Sequence, residues 1–183
     1  MSNEIGESST AAPTVPVEVL AIVESLETMA FVTCDPAERA DVLNAPAEPQ
    51  WTAIAYAMQD GRGGLIEVAT SMAFGQVLAA NMLALAPDDP ECRARAEDVL
   101  RELLNVACGT LLRHALPPAA AGSTGGAGPR RTVFVGLPGG KPLTEAAWQQ
   151  IAEDPKTSAL FAEGQPLLVR FNDRIDGSTE LPE

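Results

Sequence analysis

Histidine is almost absent from this chain of 183 residues, in which His114 is the only one. Metal sites built on imidazole ligands usually need two or three histidines, so a site of that kind is not expected. Cysteine is also scarce: Cys34, Cys92 and Cys108 are odd in number and form no CxxC pair. An odd set without such a pair is typical of a reduced compartment, which predicts a cytoplasmic protein.

Positive charge and long hydrophobic runs are in short supply as well. The chain has 12 Lys and Arg residues against 25 Asp and Glu residues, a net charge of −13 at pH 7. Such a balance argues against nucleic acid as a partner and against anionic membranes, because both attract basic surfaces. Gly75, Gln76 and Asn81 interrupt the longest apolar stretch, residues 72–86, which is too short to span a bilayer. The acidic N-terminus lacks the basic start and apolar run of a signal peptide.

The length predicts one domain with short flanking segments. Residues 16–172 are expected to form this single domain. Residues 1–15 are rich in Ser, Thr, Ala and Pro and are expected to be disordered. The acidic tail, residues 173–183, and the loop AAAGSTGGAG at residues 119–128 are expected to be flexible because they have little to bury.

Hydrophobic periodicity predicts the regular elements of the domain. Helices are predicted over residues 16–31, 72–85, 90–114 and 144–153. Strands are predicted over residues 51–58, 65–69, 132–137 and 167–171, the first two as a hairpin. The first helix carries an apolar stripe that includes Leu20 and Phe31, and the second is apolar nearly all round, which predicts burial. Residues 37–50 are ambiguous, with a short strand expected around Val42, and Pro138 begins a predicted turn.

The third helix carries the candidate chemistry. On a helical wheel, Asp98, Glu102, Asn105 and Gly109 fall in one narrow polar stripe, and apolar residues fill the opposite arc. An asparagine in mid-helix costs a few tenths of a kcal/mol, which favours a use for Asn105. Gly109 leaves room for another molecule to approach. The alternative is an ordinary solvated helix face with no function.

The spacing Asp98-x3-Glu102-x2-Asn105, followed by Pro129, resembles the motif of the CheC, CheX and FliY chemotaxis phosphatases. That motif is Asp or Ser, three residues, Glu, two residues, Asn, twenty-two residues and Pro; here the last gap is one residue longer. The order of first helix, hairpin, second helix and motif helix is also similar to CheX. Ala30 stands where a second motif would have Asn, so one motif is present, as in CheX.

The resemblance implies an α/β (α+β) fold, with helices packed on an antiparallel sheet, and a homodimer. It implies a phosphatase for the aspartyl phosphate of a CheY-like phosphorylated receiver domain. Asn105 would orient the attacking water, Glu102 would meet the receiver's active-site lysine, and Asp98 and Gly109 would contact the receiver. No cofactor of its own is implied, and Mg²⁺ is expected on the receiver. Two alternatives stay open: a receiver-binding adaptor without turnover, and a purely structural dimer.

Several residues have ordinary structural interpretations. Trp51, Tyr56 and Trp148 are expected to pack in the core or at its edge, and Cys108 to be a packed thiol. His114, near a helix end, is expected to interact with terminal carbonyls. Two departures from the family are visible: Thr110 replaces a frequent second Asn, and the closing strand after residue 171 looks short or missing.

Overall fold

A computed structural model describes residues 15–58, 63–115 and 133–173. Several predictions concern residues outside these ranges. They are the disorder expected for residues 1–14, the flexible loop at residues 119–128, the motif residue Pro129 and the tail from residue 174 onward.

The described residues form five helices and seven strands. The helices are α1 (Val17–Ala30), α2 (Arg39–Val42), α3 (Met72–Leu83), α4 (Pro90–Ala115) and α5 (Glu145–Glu153). The strands are β1 (Cys34–Pro36), β2 (Pro49–Met58), β3 (Gly63–Ser71), β4 (Val133–Val135), β5 (Gly139–Pro142), β6 (Thr157–Ala162) and β7 (Gln165–Asp173).

All described strands belong to one antiparallel sheet in the order β1-β6-β7-β3-β2-β4, with β5 also paired to β2. Strands β2 and β3 form the predicted hairpin, with Trp51 opposite Ala69. The β6–β7 connection is a two-residue turn in which both Glu163 (φ 50°) and Gly164 (φ 70°) have positive φ, as a type I′ turn requires. The predicted fold class, helices on an antiparallel sheet, is confirmed.

The two faces of the sheet bury different clusters. Because successive side chains in a strand point to opposite faces, Ile66 and Val68 pack with α1, α3 and α4, whereas Ala69 packs with α2 and α5. On the second face the fully buried Trp148 of α5 donates a hydrogen bond from Nε1 to the Val42 carbonyl oxygen, 2.9 Å away. The Thr144 hydroxyl caps α5 as its sequence predicts, accepting from the Ala147 N–H.

Three local predictions are wrong, each where tertiary contacts override local pattern. Val42 ends a short helix, because its side chain and carbonyl are held beneath Trp148. Gly139 and Gly140 lie in strand β5, where pairing with β2 extends a segment that looks like a turn. Asp173, assigned to the tail, is the last residue of β7 and pairs with Gly64. Strands β1 and β6 were not predicted.

Helices α1 and α3 expose more apolar surface than their patterns predict. Leu20 of α1 and Met82 and Leu83 of α3 are exposed. Phe31 lies beyond α1 in the left-handed conformation (φ 55°), which turns its side chain outward to 84% exposure. Ala84 ends α3 in the same way (φ 54°). Only one face of each helix therefore contributes to the core.

Candidate functional site on helix α4

Helix α4 is the longest described helix, at 26 residues. Its start is well specified: Pro90 has no N–H that needs a partner, and the Asp89 carboxylate accepts a hydrogen bond from the Glu91 N–H at 2.8 Å. It packs against α1, α3 and β2. This packing fixes the rotation of α4 and so decides which side chains reach solvent.

The two sides of α4 separate as the helical wheel predicts. The apolar side chains that are buried against the core are Cys92, Ala96, Val99, Leu100, Leu103, Leu104, Ala107, Cys108, Leu111 and Leu112. Asp98, Glu102, Asn105 and Gly109 are all exposed. We call these four residues the motif face.

At the centre of the motif face two side chains contact each other. Asn105 Nδ2 donates a hydrogen bond to Glu102 Oε2 at 3.1 Å, across one helical turn. In the described part of the chain, Asn105 Oδ1 accepts no hydrogen bond and Glu102 forms no ion pair. The pair therefore offers a free amide oxygen and a free negative charge to another molecule.

Asp98 is less available than Glu102. It lies between two arginines, with Arg95 Nη1 3.8 Å from Oδ2 and Arg101 Nη1 3.5 Å from Oδ1. Both arginines also pair with an acid one turn earlier, Glu91 and Glu97. Exposed pairs of this kind contribute little to stability, but they offset the charge of Asp98. This arrangement was not predicted, although the i,i+3 spacing of Arg95, Asp98 and Arg101 contains the signal.

Gly109 lies one helical turn beyond Asn105 and is exposed to solvent. A Cβ added there would meet nothing within 4 Å. No neighbour within the described chain therefore requires a glycine at this position.

The C-terminal end of α4 is tied to α1 through Glu24. Its carboxylate lies 2.7 Å from His114 Nε2 and 3.1 Å from Arg113 Nη2. The hydrogen bond with His114 is the main reason that the pKa of Glu24 is lowered, with the Arg113 charge acting in the same direction. The expected contact of His114 with terminal carbonyls is wrong, because the ring pairs with α1 instead. Arg113 also donates to the hydroxyl of the buried Thr110, at 3.0 Å.

The remaining candidate residues are structural. Cys108 is fully buried, and burial raises the pKa of its thiol to about 11, which does not suit a nucleophile. Trp148 is a core residue, and Tyr56 stacks on Phe171 with ring centroids 6.3 Å apart. Trp51 makes a cation–π contact with Lys141, whose ammonium nitrogen lies 5.3 Å from the ring centroid.

Residues 15–58, 63–115 and 133–173 contain no group of three or more His, Cys, Asp or Glu side chains that could hold a metal ion. Within them, no helix has the length and hydrophobicity that crossing a membrane requires.

The architecture is that of the CheX-type chemotaxis proteins, an antiparallel sheet that carries the motif helix and its two neighbours on one face. Chemotaxis protein CheX from Vibrio vulnificus superposes with a TM-score of 0.54 at 15% identity, over 87% of this chain and 98% of that one. CheX in a CheX–CheY–BeF3–Mg²⁺ complex from Borrelia burgdorferi has a TM-score of 0.54 at 13% identity, over 86% and 96% of the two chains. CheX from Desulfovibrio desulfuricans has a TM-score of 0.50 at 14% identity, over 86% and 97%. No protein-family model and no curated protein matches the sequence. At these identities the likeness establishes the fold.

Proposed function

We propose that this protein is a phosphatase for the aspartyl phosphate of a CheY-like receiver domain, and that the motif face of α4 enters the receiver's active site. The observation that carries the proposal is the exposed Glu102–Asn105 pair at the centre of the motif face, on a CheX-type fold. The CheX of the Borrelia burgdorferi complex is bound to CheY, which supports a receiver domain as the partner.

Hydrolysis of an aspartyl phosphate needs a water in line with the bond that breaks. The water oxygen forms a bond to phosphorus, the bond from phosphorus to the aspartyl oxygen breaks and leaves an aspartate carboxylate, and both protons of the water leave with the phosphate product. Asn105 is suited to hold this water because its amide is neutral and does not repel the phosphoryl group. Mg²⁺ bound to the receiver would offset the phosphoryl charge, and this chain needs no cofactor of its own.

The other motif-face residues would bind the receiver. Glu102 has no ion pair among the described residues, so its charge is available to the receiver's active-site lysine. Asp98 lies a turn away and would make a weaker contact, because Arg95 and Arg101 already offset its charge. Gly109 would let the receiver backbone come close to the helix.

We also propose a homodimer. Among the described residues, only the short β4 and β5 cover the outer edge of the sheet beside β2, and Val135 and the 90%-exposed Leu137 lie there. An edge with exposed apolar residues favours pairing with a second copy. Light scattering at micromolar concentration is expected to give twice the chain mass of 19.1 kDa; a monomer mass would contradict the dimer.

The decisive experiment follows the decay of a phosphorylated receiver with and without the protein. Wild type is expected to speed the decay, and Asn105→Ala to slow the catalysed rate by about 10²- to 10⁴-fold. Receiver binding by Asn105→Ala is expected to change little, because the amide acts mainly in the transition state. Gln149→Ala is the matched control: it removes an exposed amide from α5, on the opposite face of the sheet.

Each alternative has its own outcome in this experiment. A wild-type protein that binds the receiver without shortening the phosphate's lifetime would be an adaptor. Absence of receiver binding would leave a structural dimer with a solvated helix face.

A further inference from the structure

The Glu102–Asn105 contact selects one orientation of the Asn105 amide. An asparagine side chain has a donor end, the NH₂ group, and an acceptor end, Oδ1. A carboxylate accepts hydrogen bonds and donates none, so Glu102 binds the NH₂ end, as the 3.1 Å contact shows. Oδ1 is then directed away from the carboxylate, and in the described part of the chain nothing else bonds to it.

The orientation matters for the chemistry because the two ends would treat a water molecule differently. When Oδ1 faces the water, the water donates a hydrogen bond to the amide oxygen and keeps its lone pair for phosphorus. When the NH₂ group faces the water, the amide donates to that lone pair and competes with the attack. A fixed amide removes the second arrangement before the receiver binds.

We propose that Glu102 is a positioning residue for Asn105, whose amide it holds with Oδ1 toward the attacking water. This role rests on the proposed function and adds to the contact of Glu102 with the receiver. One carboxylate has room for both, because its two oxygens accept about four hydrogen bonds. Asp98 is not a substitute, since Arg95 and Arg101 hold it.

Three substitutions separate the hydrogen bond from the charge. Glu102→Gln loses the charge and keeps an oxygen that accepts from Asn105, but its NH₂ group can also donate to Oδ1, so the amide is held in both orientations. Glu102→Asp keeps the charge but shortens the side chain by one methylene, which draws the carboxylate back from the Asn105 amide. Glu102→Ala loses both. Glu91→Ala is the control, because it removes another exposed carboxylate from α4 without touching Asn105.

The first measurement is single-turnover decay of a phosphorylated receiver at increasing concentrations of each variant. The maximal rate of Glu102→Gln is expected within about 3-fold of wild type, while Glu102→Ala and Glu102→Asp lose about 10- to 100-fold. Because the Gln and Ala variants lack the carboxylate charge, their half-saturating concentrations are expected to be higher than that of wild type. Equal maximal rates for Gln and Ala would overturn the positioning role and leave the proposed function standing. A wild-type protein without effect on the decay would overturn both.

The second measurement is NMR of the Asn105 side-chain amide in the free protein, which needs no receiver. Wild type is expected to show a shifted Nδ2 proton that exchanges slowly with solvent, Glu102→Gln to keep part of that shift, and Glu102→Ala to lose it. The same shift in all three proteins would show that Glu102 does not hold the amide, and would overturn the role whatever the rates.

Discussion

Two glycines lie inside the described helices, and their surroundings differ completely. A Cβ on Gly75 of α3 would come within 2.9 Å of the Ala96 carbonyl oxygen and 3.2 Å of Leu100, both on α4. A Cβ on Gly109 of α4 would meet nothing within 4 Å. Glycine in a helix interior costs roughly 0.5–1 kcal/mol relative to alanine. At Gly75 the close approach of α3 and α4 requires a glycine in spite of that cost, whereas at Gly109 nothing within the described chain requires one. The cost at Gly109 therefore favours a role in contact with another molecule.

The largest expected contrast is between two adjacent residues of α4. Leu104 is fully buried, and Leu104→Ala is expected to lower the free energy of unfolding by about 2–5 kcal/mol. Asn105→Ala, on the exposed side, is expected to leave that free energy unchanged or raise it by a few tenths of a kcal/mol. Urea denaturation of both variants tests this. A loss above about 1 kcal/mol for Asn105→Ala would show that the motif face contributes to folding.

Gly75→Ala is expected to be destabilising. The new methyl group would press on the Ala96 carbonyl, and overpacking of this kind costs about 1–3 kcal/mol, from which the helix preference of alanine subtracts up to about 1 kcal/mol. A lower urea midpoint is the readout. An unchanged or higher midpoint would mean that α3 and α4 separate easily and that Gly75 is not required by packing.

Gly109→Ala is expected to act in the opposite direction. It should stabilise the fold by about 0.5–1 kcal/mol, because the methyl group enters open space and the helix gains a better former. If the receiver backbone comes close here, the same change raises the half-saturating receiver concentration. A variant that is more stable and binds the receiver as wild type does would remove Gly109 from the binding surface.

The smallest expected effect is the loss of the Glu24 contact in acid. Because the folded-state pKa of Glu24 lies below its ordinary value of 4.5, the contact contributes stability above that pH. The contribution is lost as the pH falls through the folded-state pKa. Urea midpoints measured at successively lower pH are therefore expected to fall less steeply for Glu24→Gln than for wild type. Parallel curves for Glu24→Gln and wild type would contradict the prediction.

The sequence predicts the long elements of this fold, and of the short ones it predicts β4 but misses α2, β1, β5 and β6. The period of α4 and the alternation of the hairpin are repeated over enough residues to stand out locally. Strands β1 and β5 have three and four residues, and their conformation depends on pairing with β6 and β2, which no local pattern encodes. The conformation of Val42 likewise depends on its hydrogen bond with Trp148, more than a hundred residues away in the sequence.

The same division holds for the candidate site. The exposure of Glu102 and Asn105 follows from the helical wheel, since the apolar arc determines which side faces the core. The hydrogen bond between them and the arginines beside Asp98 depend on side-chain rotamers, which the spacing permits but does not determine. The helical wheel does not apply to Phe31, because α1 ends at Ala30. The backbone turn at Phe31 sets the direction of its side chain.

The left-handed residues that end α1 and α3 have a practical consequence. Neither Phe31 nor Ala84 is a glycine, although each occupies a conformation that costs a side-chain-bearing residue roughly 1–2 kcal/mol. Glycine at both positions would relax the backbone without removing a buried side chain, since both residues are exposed. The chain is therefore expected to be less stable than the same backbone would be with glycine at these two positions. A doubly substituted host, Phe31→Gly with Ala84→Gly, would keep fragile core variants folded long enough to be assayed.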